Sequence, residues 1–437
     1  MYCGYITTIK ELRKHENADR LQVCTVFGNN VIVDLTYQVG QRVVYFPSDG
    51  QLSVEFCADN DLVRRKDENG NPAGGYLDPN KRNITAIKLR GEKSDGLLLP
   101  IERLEKYTDI SKLADGDQIT ELNGHEICRK YIPNRQNAYR THDGVSKTHK
   151  TKSDSHVTYP MFIEHIDTAQ LAYNEGAFKP GDICYITLKM HGTSARTANT
   201  VEFTRHKRTM IDKIFKRPAK VTKKYQFISG TRRTTLMNYD GGYYGSNAFR
   251  QKYHDFFKTR LPKGMEVFYE IVGYVDENTT IMGKCKNSLV KDKEFSKLYG
   301  DETVFLYGCK PGENQCYVYR MTMTNDDGSY RAEIPWEQVK LECEKMGINH
   351  VPEFDKFIFT TWEDLMERVE KFYDGVDPIG KTHIREGVVV RIENRPSFTA
   401  YKHKNFGFKC LEGIVKDNSD APDMEEQEEL IIEEVNE

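Results

Sequence analysis

An apolar run, Ile183 to Leu188, ends in Lys189 and then turns through His191-Gly192-Thr193-Ser194. A run this short, bounded by turn residues, fits a buried strand better than a helix. The fold must therefore bring one strand end, carrying a lysine, to the mouth of a loop. A lysine emerging from an apolar strand is partly desolvated, which lowers its pKa and frees its amine to attack. Gly192 lets a phosphate approach the backbone, and Thr193 and Ser194 offer it hydroxyls. Lys-x-x-Gly alone is a weak signal, since about one or two such spacings arise by chance at ordinary residue usage. The residues downstream decide its meaning.

Four further stretches follow in order. Ser229-Gly230-Thr231-Arg232-Arg233 ends a basic block. Val267-Phe268-Tyr269-Glu270-Ile271-Val272-Gly273 is an apolar strand interrupted by one carboxylate, and Ile384-Arg385-Glu386-Gly387-Val388-Val389-Val390-Arg391 is another. Tyr401-Lys402-His403-Lys404 closes the series, with both ammonium groups on one strand face. Two carboxylates on apolar strands can hold a hydrated Mg²⁺ or bind a ribose. Two lysines on one face can clamp an α-phosphate and, by like-charge repulsion, depress the pKa of a neighbouring lysine. Taken singly, Glu270 and Glu386 also suit the wet face of a half-buried strand, and Lys402 and Lys404 suit edge charges that discourage aggregation. All of them in this order are poorly explained that way.

The 437 residues imply two or three domains. The first 130 or so hold short strands and little helical periodicity, which suits a small barrel such as an OB-fold. Among them are Leu21 to Val26 and Val31 to Leu35, joined by a Gly28-Asn29-Asn30 hairpin signal, and a strand pair about Gly91. Residues 131–160 are polar, bounded by Pro133 and Pro160, and read as a linker. Residues 161–412 read as an α+β domain of antiparallel sheets, with helices over Glu333 to Met346 and Trp362 to Tyr373 and a hairpin over Met321 to Arg331. Residues 413–437 form a tail that reads as mobile and solvating. From residue 417 onward it holds ten acids and no base.

That tail masks the charge of the rest. The net charge is −3, but residues 202–233 alone carry eleven Lys or Arg against two acids. The block is either a phosphate-binding surface or a solvated, partly disordered insertion. Ten cysteines show no C-x-x-C pair, so buried free thiols are expected. No signal core or membrane-length apolar run occurs, and the expectation is an intracellular, cytoplasmic monomer, cell- or virus-encoded, with no membrane partner.

The motif order resembles the covalent nucleotidyltransferases, the superfamily of polynucleotide ligases and capping enzymes. Lys189 to Gly192 resembles its nucleophile motif, and Ser229 to Arg233 the arginine motif after it. Phe268-Tyr269-Glu270, Phe305-Leu306-Tyr307, Glu386-Gly387 and Lys402-x-Lys404 are similar to the remaining motifs. The branch most resembled is that of ATP-dependent nick-sealing RNA ligases with an OB domain before the transferase, which share Lys-x-His-Gly-Thr-Ser. His191 stands where most ligases have Asp, which removes one metal-associated carboxylate. His15 to Leu21 and Lys88 to Leu98 resemble tRNA-binding OB modules, with Lys88, Arg90 and Lys93 as phosphate-contact candidates.

The resemblance implies an N-terminal OB-fold barrel followed by an antiparallel-sheet nucleotidyltransferase domain. It implies that Lys189 becomes adenylylated by ATP and that AMP passes to an RNA 5′-phosphate. A 3′-hydroxyl then seals the strand. Glu270 and Glu386 would hold a metal-bound water (Mg²⁺ or Mn²⁺), with Asn238 as a further metal or phosphate contact. Lys402 and Lys404 would hold the α-phosphate, and Phe305 would stack on adenine. Gly192, Arg196, Arg232 and Arg233 would meet the nucleotide, or the last two the RNA 5′-phosphate. The partner would be nicked or broken duplex RNA, its 3′-hydroxyl strand on a DNA or RNA template. Alternatives are a GTP-using capping-type transferase, a DNA nick-sealer and a non-catalytic RNA-binding protein on a ligase-like fold. Capping enzymes and DNA ligases place their barrel after the last motif, where only 33 residues remain here.

Overall fold

The computed structural model describes residues 2–132, 155–240 and 244–417, so most of the expected linker and most of the acidic tail lie outside the described residues. The chain divides into two compact units. One comprises Met1–Gln136 with Cys285–Thr303 and Asn405–Ala421; the other comprises Asn137–Lys284, Val304–Lys404 and Pro422–Glu437. A division of the sequence near 130 and 160 does not anticipate the two later segments of the first unit.

The first unit is built of short strands. Leu97–Pro100, Arg42–Phe46, Gly4–Thr8 and Gln118–Ile119 make one antiparallel sheet. Leu12–Lys14, Leu21–Val26 and Asn29–Asp34 make a second, and Cys128–Lys130, Gly50–Leu52 and Asn83–Ile84 a third. No sheet among the described residues closes, so the strand pairing does not show the OB-fold barrel expected from the sequence. One reason is local. Pro47 lacks a donor and follows the end of the Arg42–Phe46 strand, and Asp49 with φ +76° turns the chain into a different sheet. The first hairpin turns at Phe27 and Gly28, with φ +49° and +73°, so Asn29 and Asn30 already belong to the strand. The pair about Gly91 forms as expected, Ala86–Leu89 on Glu92–Asp95. Its two motif stretches meet: His15, fully buried, reaches the Leu89 carbonyl at 3.2 Å, and the Asn17 amide donates to the Arg90 carbonyl at 3.0 Å. Lys88 pairs with Asp292 at 2.7 Å and Lys93 lies over the Phe406 ring, so both candidates are engaged within this unit.

The second unit has two sheets. The larger runs Thr235–Leu236, Val221–Gly230, Thr193–His206, Met265–Gly273, Asn314–Thr324 and Arg331–Glu333, with Ser155–Thr158 and Asn349–His350 attached beside it. Every residue of Met265–Gly273 is buried, and the helix Ala248–Lys258 sets Tyr253 and Phe257 against Tyr269. The smaller sheet runs Ala169–Gln170, Thr399–Lys404, Gly387–Ile392, Ile183–Lys189 and Glu353–Ile358. Alternation sorts its faces: Cys184 and Ile186 join Val388, Val390 and Ile392 in a core with Leu365 and Val369 of the helix Trp362–Glu370. The Asn314–Thr324 and Arg331–Glu333 hairpin and the Trp336–Met346 helix also match the sequence reading. The basic block is ordered as a long hairpin, Thr193–His206 paired with Val221–Gly230, with the short helix Met210–Ile214 in its loop. All ten cysteines are free and buried. Among the described residues no helix is long and apolar enough to cross a membrane.

Candidate active site

The lysine expected to be the nucleophile is the last residue of the Ile183–Lys189 strand, and Thr193 is the first of the next. Only Met190, His191 and Gly192 separate the two, yet the strands belong to different sheets. Lys189 therefore stands where the sheets converge. Register supplies its neighbours. Lys189 lies opposite Gly387, and Gly387 opposite Lys404; Thr187 lies opposite Val389, and Val389 opposite Lys402. From the other sheet, Ser194 lies opposite Glu270.

The charged groups are close. Lys189 Nζ is 2.6 Å from Glu386 Oε1, and Lys404 Nζ is 3.7 Å from the same oxygen. The Glu386 side chain is 2% exposed against 22% for Lys189. Its other oxygen is buried and makes no hydrogen bond, with His191 Nδ1 at 3.9 Å. Glu270 holds the turn itself: Oε1 accepts from the Gly192 amide and Oε2 from the Ser194 hydroxyl, both at 3.1 Å. A Cβ on Gly192 would lie 2.3 Å from the Ile271 carbonyl oxygen. Glycine is thus required here for the approach of two strands, where the sequence suggested room for a phosphate. Thr193 accepts from Arg250 at 2.6 Å, leaving Ser194 as the hydroxyl at the cleft.

A cleft of about 780 Å³, open mouth included, lies against these groups. Lys189, Lys402, Glu270, Ser194 and Arg232 line it, with His165, Tyr319, Val389, Arg391 and Phe398. Other candidates stand elsewhere. Arg196 is 1% exposed and clamps the arginine loop, its Nε donating to the Thr231 carbonyl at 3.0 Å and another nitrogen to the Ile163 carbonyl. Its partner Glu266, 3.6 Å away, is driven by burial up to about 8. Arg232 and Arg233 both pair with Asp167, and only Arg232 lines the cleft. Asn238 is exposed and does not line it.

Phe305 is 3% exposed, with its ring edge-on to His191 at 4.6 Å and to His383 at 5.0 Å. Tyr307, in the same stretch, accepts from the His191 amide at 2.8 Å, and burial pushes its phenol far above the ordinary range. Phe305, to which the resemblance gives the adenine, thus packs with Tyr307 against the Met190–Gly192 turn.

A family model for RNA ligases matches residues 182–410, just over half of the chain and all of the strands that build this cleft. The chain belongs to the RNA ligase family. It is accordingly a ligase enzyme, and the family match covers both ends of the motif series, Lys189 and Lys404. Solved structures agree on the fold. A substituted form of the Naegleria gruberi RNA ligase with AMP and Mn is similar at TM-score 0.56 and 16% identity, covering 93% of this chain and 97% of that one. Another substituted form with ATP and Mn gives TM-score 0.55 and 16% identity over 93% and 98%. The same ligase with PPi gives 0.54 and 16% over 96% and 99%. No curated protein matches the chain.

This RNA ligase family member carries site residues that sequence reading missed. Tyr319 lies in the cleft wall, its hydroxyl 3.4 Å from that of Ser194. His165 packs edge-on to Tyr319 at 5.0 Å, and Arg391 lines the cleft while donating to the Tyr319 carbonyl at 2.8 Å. The one available signal was alternation: Tyr317 and Tyr319 fall two apart on a strand that pairs with the Glu270 strand.

Proposed function

We propose that this chain is an ATP-dependent RNA ligase that seals 3′-hydroxyl/5′-phosphate breaks in duplex RNA through a lysyl-AMP intermediate. The observation that carries this reading is Lys189 at a cleft mouth, 2.6 Å from a buried carboxylate, with Lys402 in the same cleft. In step one the Lys189 amine, its proton passed to Glu386 Oε1, attacks the α-phosphorus of ATP. An N–P bond forms, and the Pα–O bond to pyrophosphate breaks. Lys402 and Lys404 stabilise the charge on the α-phosphate oxygens. An RNA 5′-phosphate oxygen then displaces Lys189, which recovers a proton. The 3′-hydroxyl finally attacks the 5′-phosphorus, its proton passing to solvent, as the P–O bond to AMP breaks and AMP leaves. Tyr319 is the aromatic side chain this reading gives to the adenine, with His165 and Phe398 in the same cleft.

The donor set fits a divalent ion held largely by water and phosphate. Glu386 keeps one buried oxygen without a hydrogen bond, and no group of three or more His, Cys, Asp or Glu forms a cage among the described residues. Glu386 would hold a hydrated Mg²⁺ or Mn²⁺, with Glu270 as the second carboxylate of the set. When bound, the ion neutralises phosphate charge. The N-terminal unit is read as an OB-related module that grips the duplex, supported by the junction of its two tRNA-module-like stretches at His15 and Leu89.

The test is incubation with ATP and a divalent metal, followed by peptide mass analysis. One AMP should appear on Lys189. Lys189→Ala should lose both this and overall sealing, and should still join a pre-adenylylated RNA. AMP on a different residue would refute the assignment.

A further inference from the structure

The hairpin formed by Thr193–His206 and Val221–Gly230 ends in a surface that the proposed chemistry does not use. Thr209 and Asp212 cap the short Met210–Ile214 helix reciprocally, which fixes its first turn. Around it Met210, Ile211, Ile214 and Phe215 are 76%, 60%, 72% and 66% exposed. Such a cluster of large apolar side chains in the open marks an interaction surface. Residues 205–224 also carry nine exposed Lys or Arg, with Asp212 as the only acid. The surface therefore asks for a partner that is anionic and apolar together. A phosphate backbone supplies the charge and leaves the apolar cluster in water.

The chain itself contains a segment with both properties. Residues 418–437 hold nine acids, no base, and Met424, Leu430, Ile431, Ile432 and Val435. Twenty residues can span up to ~70 Å, and tethering presents them at an effective concentration of about millimolar. We propose that the tip of the basic hairpin is the docking surface of this chain's own acidic C-terminal segment. The carboxylates meet Lys213, Lys216, Arg217 and Lys220, and Leu430 to Ile432 cover Ile211, Ile214 and Phe215. Individual exposed ion pairs are weak, so the contact depends on many charges together and on the apolar cover.

The experiment uses the full chain. A zero-length carbodiimide joins touching lysines and carboxylates, and an equal mixture of light- and heavy-isotope protein separates links within a copy from links between copies. Same-copy links between Lys213, Lys216 or Lys220 and Glu425 to Glu437 are expected at low salt, falling at least fivefold near 1 M NaCl. The triple variant Ile211→Ser, Ile214→Ser, Phe215→Ser should lower them at least threefold, with lysyl-AMP formation unchanged as the check on folding. Three results would overturn the proposal: no links to these lysines, links only between copies, or links that ignore the apolar substitutions. A hairpin that instead cross-links to added duplex RNA, with the tail never found on it, would assign the surface to RNA.

Discussion

Substituting Gly192 by alanine tests the convergence of the two sheets directly. The added Cβ would stand 2.3 Å from the Ile271 carbonyl oxygen, 2.8 Å from Val272 Cγ1 and 3.1 Å from Glu270 Cγ. Restoring an ordinary 3.4 Å contact with the carbonyl needs about 1.1 Å of movement. The carbonyl cannot give easily, because Ile271 is paired on both sides, with Thr193 and with Cys316. The turn must move instead, and with it the Lys189 strand end and the Gly192 amide bonded to Glu270. Overpacking of this kind costs about 1–3 kcal/mol of stability. A displacement of about 1 Å at a reacting group costs on the order of 10² in rate. Single-turnover formation of lysyl-AMP from labelled ATP should therefore slow about 100-fold, while thermal unfolding shifts by only several degrees. A variant within about threefold of the parent rate would show that the turn adjusts without moving Lys189, and would refute the reasoning.

Tyr319→Ala removes the aromatic side chain proposed to stack on adenine and should raise the KM for ATP about tenfold, since a stacked base is worth about 1–3 kcal/mol; steady-state adenylylation at varied ATP measures it. Tyr307→Phe leaves the His191 amide without its acceptor and should cost about 1–3 kcal/mol in denaturant unfolding. Glu266 has a folded-state pKa of about 8 against an ordinary 4.5, because burial disfavours its charge. The folded state thus holds that proton longer than the unfolded state, so stability should fall as pH rises from about 4.5 and the loss should be complete above about 8. Glu266→Gln should flatten that slope in melting curves taken across this range.

What the sequence made legible was local. The Lys189, Glu270, Glu386 and Lys402 stretches each carry an apolar run or alternation broken by one charge, and each became a strand or a strand end where expected. The helix Trp362–Glu370 followed from 3.6-residue spacing. Pairing partners were not legible, because register couples segments far apart in the chain. Phe305 drew attention through its place in Phe-Leu-Tyr, but only the pairing of Glu270 with Tyr317, after the bulge at Phe268/Tyr269, shows that Tyr319 reaches the cleft. Arg196 follows the nucleophile turn closely and looked like a ligand contact. Its burial against Phe162, with the guanidinium 3.9 Å from the ring centroid, makes it a brace for the arginine loop. The sheets of the N-terminal unit were hidden for a similar reason: strands of the right length were visible, and the breaks between sheets were not.

The boundary of the N-terminal unit changes what that unit can be. Judged by sequence, a cut near residue 159 would release an intact transferase. Yet the Lys402–Lys404 strand ends at Lys404, and Asn405, the next residue, already belongs to the first unit. There Asn405 accepts from the Phe408 amide at 3.2 Å at the start of the helix Phe406–Asp417. That helix packs on Ala86–Leu89 and on Asn287–Val290, burying Phe408 and Leu411 to 1% exposure each. Lys409 pairs with Asp95, and Asp292 with Lys88. Removing residues 1–158 would take Asp95 from Lys409, Lys88 from Asp292 and the Ala86–Leu89 strand from one side of the helix, while Asn287–Val290 would still cover it. That helix begins two positions beyond Lys404. A chain begun near residue 159 should therefore lose stability in the Phe406–Asp417 helix, which thermal unfolding of the full-length and shortened proteins would measure.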